Sequence, residues 1–130
     1  MPEGEPTAAL EKGGGYLPSL AGATSDGPAA AMASDSLSLA RWWRAFCAGE
    51  IVSQASLTEM TTFHDGYGLG LLDVADPYAR AVGHTGEHDG YVAWAGCLPE
   101  DGAVLVVLSN RVVADIGGMA RPLVVAARSD

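Results

Sequence analysis

From Ser34 onward the apolar positions follow a helical period and then an alternating one. Leu37, Leu39, Ala40, Trp43, Phe46 and Cys47 recur at helical spacing, and Gly49 is a natural stop, so a helix is expected over 35–48. Ser34 stands where a cap belongs, and Trp42 and Trp43 supply large apolar area on or beside the buried face. A shorter helix is expected to begin at Ser56, where Ser56-Leu57-Thr58-Glu59 has the form of a capping box, and to end by Thr62.

After His64-Asp65-Gly66 the period falls to two, with Tyr67, Leu69 and Leu71 on one face, which predicts a strand. Further strands are expected near Ala81 to Thr85, over Tyr91 to Leu98 and over Ala103 to Ser109. Pro99-Glu100-Asp101-Gly102 joins the last two as a hairpin turn, since glycine can take the left-handed backbone that closes it. From Val113 to Arg128 the helical spacing returns through Ile116, Met119, Leu123 and Val124. Asp115 and Arg128 suit the two ends of the helix dipole, and Pro122 predicts a kink or break near Gly118 to Pro122. The class is α+β: an antiparallel sheet with a C-terminal helix packed on it, preceded by two helices. Residues 1–33 differ, being rich in Gly, Pro, Ala and Ser with no sustained period, and read as a flexible linker or long loop before a folded portion over 34–130.

Composition narrows the functional classes. A hydrophobic content of 48% and a mean hydropathy of +0.17 suffice for one domain with a core. The formal charge of -9, with the acids spread along the chain and no basic patch, argues against a nucleic-acid partner. The start Met1-Pro-Glu-Gly-Glu-Pro6 lacks the basic and then apolar run of a signal peptide. The longest purely apolar run, Ala103 to Leu108, falls far short of the about 20 residues needed to cross a bilayer. Cys47 and Cys97 do not make a disulfide framework and are expected as two buried free thiols.

Candidate chemistry concentrates in Val82-Gly83-His84-Thr85-Gly86-Glu87-His88-Asp89-Gly90-Tyr91, which holds two of the three histidines. A metal site at His84, Glu87 and His88 would need a helix to place both imidazoles on one face. Gly83, Gly86 and Gly90 each cost about 1 kcal/mol relative to Ala in a helix interior, so strand and turn are favoured and neither a metal nor another cofactor is expected. His64, His88, Asp65 and Asp89 read as loop residues.

The strand reading resembles a known family. Gly66-Tyr67-Gly68-Leu69-Gly70-Leu71, then Val82-Gly83-His84-Thr85-Gly86, Gly90-Tyr91 and Val104 to Asn110 look like the C-terminal part of the serine beta-lactamase and D-alanyl-D-alanine carboxypeptidase family. Leu39-Ala40-Arg41-Trp42 and Leu57-Thr58-Glu59-Met60 look like the two helices before that strand, so the similarity spans about residues 34 to 127. It implies a partial beta-lactamase/transpeptidase-like fold and a serine hydrolase acting on beta-lactams, D-amino-acid peptides or esters. His84-Thr85-Gly86 matches the histidine form of the family's Lys-Thr-Gly strand motif, as in some D,D-peptidases and esterases. The resemblance implies that His84 polarises the site, Thr85 hydrogen-bonds a substrate carboxylate, Gly86 lets substrate approach the strand edge, and the Glu87 backbone N–H is one oxyanion donor.

The family's nucleophile motif, Ser-x-x-Lys, is absent from these residues. The single lysine is Lys12, and Ala9 stands three positions before it. Tyr16-Leu17-Pro18 lacks the asparagine of a Tyr-x-Asn element, and Ser34-Asp35-Ser36 is better explained as a helix cap than as Ser-x-Asn. The chain is therefore expected to resemble a C-terminal fragment, inactive alone, with a sheet edge and much of the terminal helix face exposed. Its expected partners are the missing N-terminal part of the fold or a second copy of itself. The alternative is a non-catalytic domain that binds a peptide or protein through the retained sheet edge.

Overall fold

The computed structural model describes residues 10–12, 15–17, 27–30, 32–76, 79–88, 90–111 and 115–128. Most of the stretch read as a linker, and Asp89, lie outside them. Within 1–33 the described backbone forms a short antiparallel pair, β1 (Leu10–Lys12) with β2 (Gly15–Leu17), and a single 3₁₀ turn at Gly27–Ala29.

The main body is an antiparallel sheet of four strands clasped between helices. In chain order it comprises α1 (Ser36–Cys47), α2 (Gln54–Met60), β3 (Leu72–Asp76), β4 (Ala79–His88), β5 (Tyr91–Leu98), β6 (Ala103–Ser109) and α3 (Ile116–Ala127). The sheet runs β3-β4-β5-β6, each strand pairing with its sequence neighbour. This is the α+β arrangement expected from the apolar pattern, and β5 and β6 keep the expected bounds.

Alternation on β5 divides the core in two. Trp94 and Leu98 face α3, where they pack with Ala81, Ala120 and Val124, and Leu98 is fully buried. Ala95 and Cys97 point the other way, to Trp43, Phe46 and Leu71. Trp42 stacks on Phe46 with ring centroids 5.2 Å apart, and Trp43 meets the same ring edge-on. Burying side chains of this size stabilises each site by roughly 1.5–3 kcal/mol, so β5 is the element on which both layers depend. Arg128 forms an ion pair with Asp101 at 3.4 Å, joining the end of α3 to the β5–β6 turn.

Several local expectations are corrected. Asp35, not Ser34, caps α1: its carboxylate accepts from Ser38 N at 2.9 Å and from Ser38 Oγ at 2.7 Å. The helix begins at Ser36, so Asp35 occupies the cap position and Ser34 stands one residue too early. Ser53 caps α2, and Ser56 lies inside the helix as the donor of the capped N–H. Tyr67 to Leu71 do not form a strand. Asp65, Gly66 and Gly70 have φ of 52°, 82° and 71°, so the chain turns twice before β3 begins at Leu72. Leu69 N donates to the Met60 carbonyl, fastening this double turn to the end of α2. Pro122 lies within a continuous α3, without the break expected near it.

The two cysteines are joined as a Cys47–Cys97 disulfide, with Cα atoms 6.6 Å apart, which corrects the expectation of free thiols. Helical spacing sends Cys47 toward the sheet and alternation sends Cys97 toward α1, so the layer packing brings together residues separated by 50 positions.

Candidate functional site

β3 pairs with β4 only from Asp76↔Ala79 to Leu72↔Gly83, whereas β5 accompanies β4 as far as His88↔Tyr91. The far half of β4, carrying His84, Thr85, Gly86 and Glu87, therefore has a strand on one side and, among the described residues, no strand on the other. Alternate residues of such an edge present backbone N–H and C=O groups to whatever lies beside it.

Two glycines explain how this half of the strand is built. A Cβ on Gly83 would strike the Ala95 carbonyl oxygen, and one on its register partner Gly96 would lie 2.6 Å from the Val82 carbonyl oxygen. These glycines are needed for the close approach of β4 and β5. Gly86 is different: a Cβ there would meet only Ala93 Cβ at 3.6 Å, an ordinary contact. Among the described residues, packing does not require glycine at 86.

Strand alternation places Val82, His84 and Gly86 on the α1 side of the sheet and Ala81, Thr85 and Glu87 on the α3 side. His84 is half-buried, while Thr85, Gly86 and Glu87 are exposed. The side chains of His84 and Thr85 can thus reach one ligand only over the open edge between them. His84 and Glu87 lie on opposite faces, and because β4 is a strand, the helix that a metal site at His84, Glu87 and His88 would require does not form.

Tyr67 joins these residues although no motif of the sequence marks it. Its hydroxyl lies 3.3 Å from His84 Nε2, and the two rings meet edge-to-face with centroids 5.9 Å apart. No periodicity could have found this contact, because it depends on the double turn before β3. A cavity of about 540 Å³ lies elsewhere: it is lined by Arg44, Phe46, Leu57, Phe63, Arg80 and Val82 among others, toward the start of β4, and none of His84, Thr85, Gly86, Glu87 or Tyr67 borders it. Arg80 there is engaged with Asp73 at 3.2 Å. The open edge, with its exposed motif and polar side chains, is the stronger candidate for chemistry.

The sheet order, the flanking helices and the terminal helix packed on the sheet form part of the fold of the beta-lactamase/penicillin-binding protein serine hydrolases. Among the solved structures that it resembles are two of D-amino acid amidase from Ochrobactrum anthropi SV3. The complex with D-phenylalanine aligns at a TM-score of 0.60 and 25% identity over 75% of this chain and 36% of the amidase chain. The complex with L-phenylalanine amide aligns at a TM-score of 0.60 and 26% identity over 72% of this chain and 32% of that chain. The chain therefore spans about a third of the amidase chains it matches. No protein-family model matches it, and neither does any curated protein.

Proposed function

We propose that this chain contributes the His-Thr-Gly wall of a beta-lactamase-like serine hydrolase site whose nucleophile stands outside these 130 residues. The observation that carries this reading is the open-edged half of β4, which bears His84-Thr85-Gly86-Glu87 on a fold shared with a D-amino acid amidase. The reaction is acyl-transfer hydrolysis of a D-amino-acid amide or peptide, a beta-lactam or an ester. A substrate lies along the edge beside Gly86, with His84 and Thr85 reaching it from opposite faces. The Glu87 backbone N–H is one donor to the carbonyl oxygen as it gains charge, a role typically worth about 10² to 10³ in rate. The serine that attacks, and the lysine that takes its proton, come from a complementary polypeptide segment.

The same reading identifies where that segment docks. β6 ends the described sheet, and its residues from Ala103 to Val107 are only half-buried although helices flank both faces. Beside it Met119, Leu123 and Val125 on α3 are 48%, 44% and 47% exposed. A further strand and an apolar helix would cover both.

The test is covalent labelling with a fluorescent penicillin or fluorophosphonate. The chain alone should not be labelled. Addition of a polypeptide bearing Ser-x-x-Lys and Tyr-x-Asn should produce labelling, weakened by His84→Ala. Labelling of the chain alone, or of the mixture regardless of the His84 substitution, would refute the reading. A second reading is favoured by the same edge: a strand with free backbone groups can bind an extended peptide with no chemistry at all. Peptide binding that persists when no complementary segment restores labelling would select it.

A further inference from the structure

The two nitrogens of the His84 ring have different partners. Nδ1 contacts the backbone carbonyl oxygen of Thr85, and Nε2 faces the Tyr67 hydroxyl. A carbonyl oxygen only accepts, so Nδ1 carries a proton. In the neutral ring Nε2 is then an acceptor, and the phenol donates to it.

Tyr67 is held firmly enough for this role. His64 N donates to the Tyr67 carbonyl at 3.0 Å, Tyr67 N donates to the His64 carbonyl at 3.1 Å, and Asp73 N donates to the Gly66 carbonyl at 2.9 Å. Tyr67 also bridges to Leu72, whose register partner is Gly83, immediately before His84. The backbone thus fixes the phenol beside the imidazole, while Tyr67 remains 49% exposed and open to a ligand.

We propose that Tyr67 is a positioning residue that holds His84 as the neutral Nδ1–H tautomer, and that the pair offers an approaching ligand the phenolic oxygen as an acceptor. Once its proton is committed to Nε2, that oxygen has lone pairs and no donor left, and the hydrogen bond polarises it toward accepting. The subsite suits a ligand end with N–H groups, an amide or an ammonium, and opposes a carboxylate. This deepens the reading of the His84 wall. The tautomer, however, can be measured without any hydrolysis, so failure of the labelling experiment and failure of this proposal are separable.

The experiment is long-range ¹H–¹⁵N correlation on the labelled chain above the pH at which its imidazoles titrate, with the His84 signals identified by their loss in His84→Gln. The expected pattern is a protonated Nδ1 and an unprotonated Nε2 in the native sequence, with a shift of population toward Nε2–H in Tyr67→Phe. An Nε2–H ring in the native sequence, or a tautomer unchanged by Tyr67→Phe, overturns the positioning role. Titration with benzamide should move the Tyr67 and His84 signals, and benzoate should not. Benzoate moving them equally, or neither probe moving them, overturns the acceptor subsite.

Discussion

Reduction of the Cys47–Cys97 bond is the most quantitative perturbation available. The cross-link spans 50 positions, tying the end of α1 to the central strand β5. Loop-closure entropy for a loop of that length is about 14 cal/mol/K, or about 4 kcal/mol at 25 °C, by which the cross-link disfavours the unfolded chain. A domain of ordinary stability has only about 5–15 kcal/mol in total, so reduction should remove a large share of it. With a urea dependence of about 2 kcal/mol/M, the unfolding midpoint should fall by about 2 M. Tryptophan fluorescence is a suitable probe, because Trp43 is buried against Phe46 in the layer that the bond closes. The oxidised protein should show no titratable thiol in denaturant and two after reduction. Two thiols without reductant, or a midpoint that moves by less than about 0.5 M, would refute the reasoning.

Leu98→Ala should destabilise by about 2–5 kcal/mol, since the side chain is fully buried between the sheet and α3; a smaller loss in urea unfolding would mean that this layer is loosely packed. Gly83→Ala should prevent soluble folding, because its Cβ would meet the Ala95 carbonyl, whereas Gly86→Ala should change stability by less than about 1 kcal/mol yet weaken any ligand held along the β4 edge; equal behaviour of the two in thermal melts would contradict the division between them. The Ser38 backbone N–H, followed by the Ser38 hydroxyl, holds the Asp35 carboxyl below the usual carboxylate range. Its support for α1 should therefore be complete above that range and fade as pH falls through the lowered value, so Asp35→Asn should flatten the acid limb of the helical circular dichroism signal, and an identical acid limb in both proteins would count against the cap.

Most of the architecture was legible because it is local. The short apolar runs Tyr91 to Leu98 and Ala103 to Ser109, rich in β-branched and aromatic residues, with Gly102 at φ 64° between them, mark β5, its turn and β6 from neighbouring residues alone. The same holds for α1, whose apolar stripe and following glycine need no distant partner. Errors arose where several local signals competed. Two helix starts each offered more than one capping residue, and the alternation through Tyr67 and Leu71 concealed glycines that adopt left-handed backbone.

At the candidate site, the strand that carries His84-Thr85-Gly86-Glu87 was readable from local preference, since three nearby glycines disfavour a helix regardless of context. Only the tertiary packing set the start of β3 at Leu72, leaving that half of β4 open, and brought Tyr67 to His84 across 17 positions. It also decided that Cys47 and Cys97 meet. Backbone preference depends on a few adjacent residues, whereas an open edge, a ring contact and a disulfide depend on register and layer packing, which no single stretch of the chain contains.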